Sequence, residues 1–220
     1  AGLKPTFKTD GLGAGKDSIY FDSDGMSISS ISLNTNMTLF VVAKFSTVGI
    51  VMEHSINSNS NESFLFNAQG IYNTVINRSG LLYTSSNSGL FGGNQLGIGT
   101  MHYDGSTLGY DVDGALGVST TGAKSNTVST QPLYLNSRAN SSVFGVGHYA
   151  EVILYDGAIS AQDKEIVENY LAGKWGITGA ALDPIVYSPA DADGDGILDV
   201  ADAFPNDVSK SDAELTITNP

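Results

Sequence analysis

The sequence predicts an all-β protein, a sandwich or jelly roll, with one helix late in the chain. Three observations predict it. Short runs rich in Val, Ile, Phe and Tyr recur along the chain and are separated by Gly, Asn, Asp and Ser. The composition is turn-rich and charge-poor, with 26 glycines in 220 residues and charged residues at 15%, where helical proteins carry more charge. Two Asp-Gly pairs, Asp104-Gly105 and Asp113-Gly114, stand between such runs as hairpin turns.

The elements follow in order. Gly11–Gly15 (GLGAG) has the look of a phosphate loop, but it precedes a strand pattern and lacks the helix such a loop needs, so it reads as a turn. Asp17–Asp22 (DSIYFD) is a short strand. Met37–Phe45 (MTLFVVAKF) is the strongest β run, dense in β-branched and aromatic residues. Glu62–Asn67, Ile71–Asn77 and Leu81–Thr84 follow at short spacing. Leu96–Tyr103 leads through Asp104-Gly105 into Leu108–Val112, and Asp113-Gly114 turns that strand into Ala115–Ser119. Leu133–Asn136 and Tyr149–Tyr155 complete the strands. The helix begins at Ser160, an N-cap with Asp163 three residues on. Ile166, Val167, Tyr170, Leu171 and Trp175 repeat at helical spacing, and Gly176 ends it. Trp175, the only tryptophan, reads as a core anchor rather than a sugar platform.

Charge divides the chain. The whole carries 23 acids against 10 bases, a net −13. Residues 181–220 hold nine of the acids and one base, Lys210, and so carry −8, leaving −5 on residues 1–180. The shift, marked by Pro184 and Pro189, predicts a sandwich domain over 1–180 and an acidic connector over 181–220. The negative charge and the presence of only two arginines argue against binding a nucleic-acid backbone. With no cysteine there is no disulfide scaffold, thiol chemistry or thiolate zinc site. No apolar run reaches the length of a membrane span. Ala1 is no initiator Met and no signal peptide is visible, so the expectation is a mature product, a fragment or a trimmed chain.

Two stretches carry a family resemblance. YAEVILYDGAISAQDKEIVENYLAGKWGI (Tyr149–Ile177) resembles the closing strand and helix of bacterial laminin-G-like, concanavalin A-like domains. MHYDGSTLGYDVDG (Met101–Gly114) is similar to their central hairpin, and Met37–Phe45 to their core strand. The resemblance covers about residues 5–178. It implies a jelly-roll sandwich of two antiparallel sheets in an extracellular or bacterial cell-surface setting, as one module of an adhesin or a polysaccharide-degrading protein. Family members begin with a further strand upstream of the segment matching Lys4–Phe7, so the resemblance also implies an open sheet edge, left by truncation or filled by a neighbouring chain.

The acidic segment holds the sharpest motif. DADGDGILDVAD (Asp191–Asp202) matches the calcium loop D-x-[DN]-x-[DN]-G-x5-[DE]. Asp191, Asp193 and Asp195 supply carboxylates at positions 1, 3 and 5, and Gly196 allows the sharp turn between them. The Ile197 carbonyl fills position 7, Asp199 position 9 and Asp202 position 12. Hard oxygen ligands at this spacing suit Ca2+ over transition metals. The continuation Ala203–Asp207 (AFPND) resembles thrombospondin type 3 calcium repeats, which implies that Asp207 joins a site. Pro189 before the loop and Phe204-Pro205 after it leave no room for flanking EF-hand helices, so the expected role is a stiffened connector, not a switch.

Catalytic groups are sparse. His54, His102 and His148 are far apart and form no metal-ligand spacing; each reads first as a structural or surface residue. No nucleophile elbow is present. A glycosidase needs two carboxylates facing one glycosidic bond, yet Glu151 has Ile153 and Tyr155 as its same-face neighbours, and Glu53 and Glu62 stand alone. The expectation is a protein that is not an enzyme. Sugar sites combine an aromatic face with amide and charged groups. The candidates lie in three segments read as loops: Glu53, His54 and Asn57; Asn77 and Arg78; Arg138 and Asn140. The leading reading is a non-catalytic carbohydrate-binding or adhesive module with glycan and further modules of its own polypeptide as partners. The alternative is an assembly module, a filament or surface-layer subunit that recognises protein and is completed by a neighbour's strand.

Overall fold

A computed structural model of the protein describes residues 4–47, 49–56, 62–67, 72–78, 81–85, 94–139 and 141–183. The chain divides into two compact units, Ala1–Pro184 and Ile185–Pro220. The calcium-loop residues Asp191, Asp193, Asp195, Ile197, Asp199, Asp202 and Asp207 lie outside the described residues, as do Asn57 and Asn140.

Thirteen strands and one helix are described. They are β1 (Thr6–Lys8), β2 (Ser18–Asp22), β3 (Met26–Leu33), β4 (Met37–Thr47), β5 (Ile50–His54), β6 (Glu62–Asn67), β7 (Tyr72–Arg78), β8 (Leu81–Ser85), β9 (Gly97–Tyr103), β10 (Thr107–Val112), β11 (Ala115–Thr121), β12 (Ser129–Leu135), β13 (Val146–Tyr155) and α1 (Ala161–Trp175). They form a seven-stranded sheet, β1-β2-β13-β4-β9-β10-β11, and a six-stranded sheet, β3-β12-β5-β6-β7-β8. Every pairing is antiparallel, as a jelly-roll sandwich requires.

Three strands escape the sequence pattern. β3 reads MSISSISL, and its serines mimic a turn region; the strand survives because Met26 and Ile28 alternate with them along a sheet edge. β5 (IVMEH) begins so soon after β4 that its end reads as a loop. β1 is three exposed residues added to the edge of β2. The Asp-Gly turns form as expected. At the second, Asp113 (φ 47°) and Gly114 (φ 76°) both take the left-handed region that a tight hairpin demands. At the first, Asp104 Oδ1 accepts from the backbone N–H groups of Ser106 and Thr107, both at 2.8 Å.

The main core lies between the sheets. Leu39, Val41, Ala43 and Phe45 of β4 meet Phe64 and Phe66 of β6, Ile76 of β7 and Met52 of β5. Phe21, Phe45 and Tyr149 close one end, with Tyr149 edge-on to both phenylalanines. A second core lies under the helix, where Phe40, Val42 and Ile98 on the outer face of the seven-stranded sheet pack against Leu171, Ala172 and Ile177. Because β4 is apolar on both faces, it can sit in the middle of the larger sheet and serve both cores.

The helix is capped as its sequence predicts. Ser160 Oγ accepts from the Asp163 N–H at 3.0 Å and donates to the Asp163 carboxylate at 2.7 Å. Gly176 closes it in the left-handed region, φ 65°, with its N–H bonded to the Ala172 carbonyl. Replacing Gly176 by alanine is therefore expected to cost about 1 kcal/mol, read as a small fall in the urea midpoint. The inward face differs from the expected one: Ile166 is half exposed, and Glu168 is buried in its stead. Trp175 is half-buried against the helix core, and its indole N–H donates to Glu151 Oε2 at 2.6 Å.

Candidate functional site

Register assigns the outer face of the six-stranded sheet. Directly opposed residues of an antiparallel ladder share a face. Ser27 pairs with Tyr134, Tyr134 with Glu53, Glu53 with Leu65, Leu65 with Val75 and Val75 with Tyr83. Their neighbours on the inward rows, such as Met52, Phe64, Ile76 and Leu133, belong to the core. One continuous row of six residues thus crosses the sheet facing away from the core, with a tyrosine towards each end. Tyr134 and Tyr83 are four strands apart, about 19 Å at the usual strand spacing.

Glu53 is the centre of this row and is buried despite facing outward. Residues Ser137–Ala139 lie over it, with Arg138 bridged to Ser142. Ala139 N–H donates to Glu53 Oε2 at 3.0 Å, and Ser55 Oγ donates to Oε1 at 2.5 Å. Burial pushes the Glu53 carboxyl above its ordinary value, and the hydrogen bonds from Ser55 and Ala139 and the charge of Arg138 only partly offset it. The chemistry available here is positional. Both carboxylate oxygens are engaged, Oε2 with Ala139 of the covering segment and Oε1 with Ser55 just past β5, and Arg138 stands beside them as a cation.

The ligand candidates named from sequence separate accordingly. Glu53 and His54 do not lie in a rim loop: both belong to β5. The two residues point to opposite sides of the sheet, as alternation along a strand requires. His54 faces the core, where its ring stacks on Phe64 (centroids 5.6 Å) and its Nε2–H donates to the Ile31 carbonyl at 2.9 Å. It is fully buried and cannot meet a ligand. Asn77 and Arg78 are strand residues of β7, opposite Ser63 and Glu62. Arg138 does lie in the segment expected of it, and the fold brings it to Glu53. Tyr134 and Tyr83 were not among the candidates, since a tyrosine inside a strand pattern is indistinguishable from core until the register is known.

A second polar cluster, also unsuspected, lies on the opposite side of the molecule beneath α1. Asp111 of β10 bonds Lys164 Nζ through Oδ2, and His102 Nε2 stands 3.6 Å from the same oxygen. Glu168 accepts from Thr100 Oγ1 at 2.7 Å and lies 3.6 Å from Lys164. The imidazole of His102 lies over Gly109, where a Cβ would come 2.2 Å from its Nε2. Burial alone would raise Asp111, but the His102 and Lys164 contacts outweigh it and hold the carboxyl below its ordinary value. Glu168 goes the other way: burial, with the nearby Asp111 charge, raises it more than Thr100 and Lys164 lower it. The ion pair fastens the helix to the sheet. Among the described residues no group of three His, Asp or Glu side chains is placed to hold a metal ion. No described helix is long and apolar enough to cross a membrane.

No family model matches the sequence, and no curated protein sequence does. Solved structures match at the level of fold. Domain 4 of AbnA, a GH43 extracellular arabinanase from Geobacillus stearothermophilus, solved in complex with arabinotriose, superposes with a TM-score of 0.52 at 11% identity, covering 73% of this chain and 79% of that one. The CBM40 of the Ruminococcus gnavus IT-sialidase bound to α2,3 sialyllactose follows at 0.46 and 11%, over 64% of this chain and 94% of its own. Domains LG4-5 of the mouse laminin α1 chain follow at 0.44 and 14%, over 65% of this chain and 44% of theirs. The described domain shares the jelly-roll sandwich fold of the AbnA domain.

Proposed function

We propose that this sandwich is a non-catalytic carbohydrate-binding module of a secreted or cell-surface bacterial multidomain protein. The observation that carries the reading is the outward-facing row across the six-stranded sheet, in which Tyr83 is exposed, Tyr134, Leu65 and Val75 are half-buried, and Arg138 stands beside the covered Glu53. Two aromatic rings on a shallow apolar face suit the flat faces of sugar rings, and the neighbouring serines and guanidinium suit hydroxyls. The shared fold with an arabinotriose-bound domain supports the reading. So does the state of the carboxylates: Glu53 is the one described carboxylate in this row, and its two oxygens are committed to Ser55 and Ala139. Such an arrangement has no acid–base pair for glycoside hydrolysis.

In this reading Ca2+, held by Asp191, Asp193, Asp195, the Ile197 carbonyl, Asp199, Asp202 and Asp207, orders the acidic 181–220 segment in the manner of a thrombospondin type 3 repeat and sets the spacing to the next module. A glycan array run with calcium and again with EDTA tests both halves. Binding is expected in both conditions, and Tyr134→Ala is expected to weaken it about tenfold. Chelation is expected to speed proteolysis within residues 189–212 while the thermal transition of the sandwich stays in place. Silence on the array in calcium overturns the carbohydrate reading; a sandwich that melts in EDTA overturns the separateness of the connector.

A further inference from the structure

Among the described residues the larger sheet has a gap in its ladder. β13 spans Val146–Tyr155, but β2 pairs only with Val146–Tyr149. From Glu151 to Tyr155 the strand is bonded to β4 on one side and, among the described residues, to nothing on the other. Every second N–H and C=O of this stretch points away from β4. Beside it the sandwich is open. A cleft of about 230 Å3 lies between β13 and the edge strand β3, lined by Met26, Ile28, Met52, Leu133, Leu135 and Val152. Apart from Ser27 its lining is apolar. Met26 and Ile28 remain 48% and 54% exposed, although their strand-mates Leu135 and Leu133 pack into the core.

These features make two different demands on an occupant. A row of unpaired backbone groups is matched by another strand, since only an extended backbone presents its own N–H and C=O groups at the same repeat. An apolar cleft beneath that row is matched by apolar side chains at every second position of the strand, the ones that point inward. The ends add a third demand. Asp17 stands where the β2 pairing stops, Asp156 follows the last residue of β13, and both are exposed. The chain as a whole carries −13. A strand with a cation at each end complements that charge.

We propose that the slot between β13 and β3 is a strand-acceptor site that takes an extended segment of a second polypeptide, apolar at alternate positions and basic at its ends. The added strand continues the larger sheet past β13 and covers Val152, Met26 and Ile28. The site is independent of the tyrosine row, which lies on the outer face of the other sheet, so either function can fail without the other.

The test adds a synthetic peptide of alternating Thr and Val, with a lysine at each end, to the full chain and follows amide hydrogen exchange. The expected result is slowing of about tenfold or more at the outward amides of Glu151–Tyr155, weaker at high salt because the end contacts are exposed. Ile28→Asp, on an exposed edge position, is expected to weaken the effect about tenfold. The same peptide N-methylated at alternate residues keeps the apolar side chains and loses the ladder, and it is expected to give no protection. Absence of protection by the unmethylated peptide at millimolar concentration overturns the proposal. So does equal protection by the methylated peptide, which would make the cleft a site for any apolar ligand. Protection of the same amides without peptide, together with a dimer by light scattering, overturns it in favour of a second copy of the chain.

Discussion

Replacing Asp111 by alanine is expected to destabilise the protein by about 3–5 kcal/mol, because it leaves Lys164 largely buried with its main counter-ion gone. Asp111 is 2% exposed at its side chain and Lys164 19%. The lysine would keep only Glu168, at 3.6 Å, and Glu168 is the group whose own burial favours the uncharged form. The measurement is the urea midpoint at neutral pH. The triple variant Asp111→Leu, Lys164→Met and Glu168→Gln separates two causes, since Glu168 would otherwise be left buried without its cation. If the cost comes from stranding a charge, the triple variant recovers much of it, since no ion of the cluster's salt bridges is left to desolvate. If the cost comes from lost packing between β10 and α1, the triple variant stays as weak as the single one. A loss under about 1 kcal/mol for Asp111→Ala would mean that water reaches the pair freely.

The same cluster fixes a pH dependence. The folded Asp111 carboxyl titrates below its unfolded value, so its contribution is complete above the ordinary carboxylate range and is lost as pH falls through the depressed folded value. Glu168 titrates above its unfolded value, so its ionisation on the way to neutral pH works against the fold, and acidification into the mildly acid range relieves that strain. Within this cluster, Glu168 favours the fold on the acid side of neutrality and Asp111 withdraws its contribution on further acidification. Asp111→Asn is expected to weaken the acid limb, to which Asp104 with its own lowered carboxyl also contributes, while the rise due to Glu168 remains. Urea midpoints taken across the acid range check both limbs.

Much of the fold was legible because β4 announces itself. A nine-residue run such as MTLFVVAKF belongs in the centre of a sheet covered on both faces, and it lies there. The Asp-Gly turns and the Ser160 and Gly176 caps were legible for the same reason: each is a local choice of backbone conformation that few residues permit. β3 was hidden because an edge strand is only half held by its neighbours, and serines at its outward positions satisfy that geometry without looking like a strand. β5 was hidden because it begins three positions after β4 ends and belongs to the other sheet.

The sites were less legible, for a different reason. Sequence identifies residue types and cannot assign faces across strands distant in the chain. Tyr134 and Tyr83 become one surface only through the pairings of β12, β5, β6, β7 and β8 in turn. Asp111 and Lys164 are separated by 53 positions and meet because α1 folds back over β9 and β10. Helical spacing placed Ile166 on the inward face, yet the polar pair Lys164 and Glu168, one turn apart, faces the sheet. The buried Asp111 and Thr100 make those the positions that need to be inside. His54 was misplaced by the same limit: a histidine beside a glutamate resembles a polar loop until alternation along β5 sends one to each side.

Glu53 carries the second large effect, and it distinguishes a residue that positions a site from one that touches ligand. Glu53→Ala is expected to cost about 2–4 kcal/mol, since it removes acceptors from the Ala139 N–H and the Ser55 hydroxyl and leaves a void under the covering segment. Glu53→Gln is expected to cost less, about 1–2 kcal/mol, because the amide oxygen still accepts one of those two bonds. The glutamine also lacks a charge to bury. The folded Glu53 carboxyl titrates above its unfolded value, so the wild-type side chain favours the fold below that value and loses this advantage as pH rises through the folded one. The gap between wild type and Glu53→Gln is therefore expected to be widest in acid and to narrow towards neutral pH. Glycan affinity resolves the role. A positioning Glu53 predicts that the glutamine variant, once folded, binds as wild type does, because Tyr134 and Arg138 keep their places over β12 and β5. A Glu53 that contacts sugar predicts a loss of affinity in the glutamine variant that exceeds anything its stability explains. The buried carboxylate, with both oxygens already bonded within the protein, makes the first outcome the expected one.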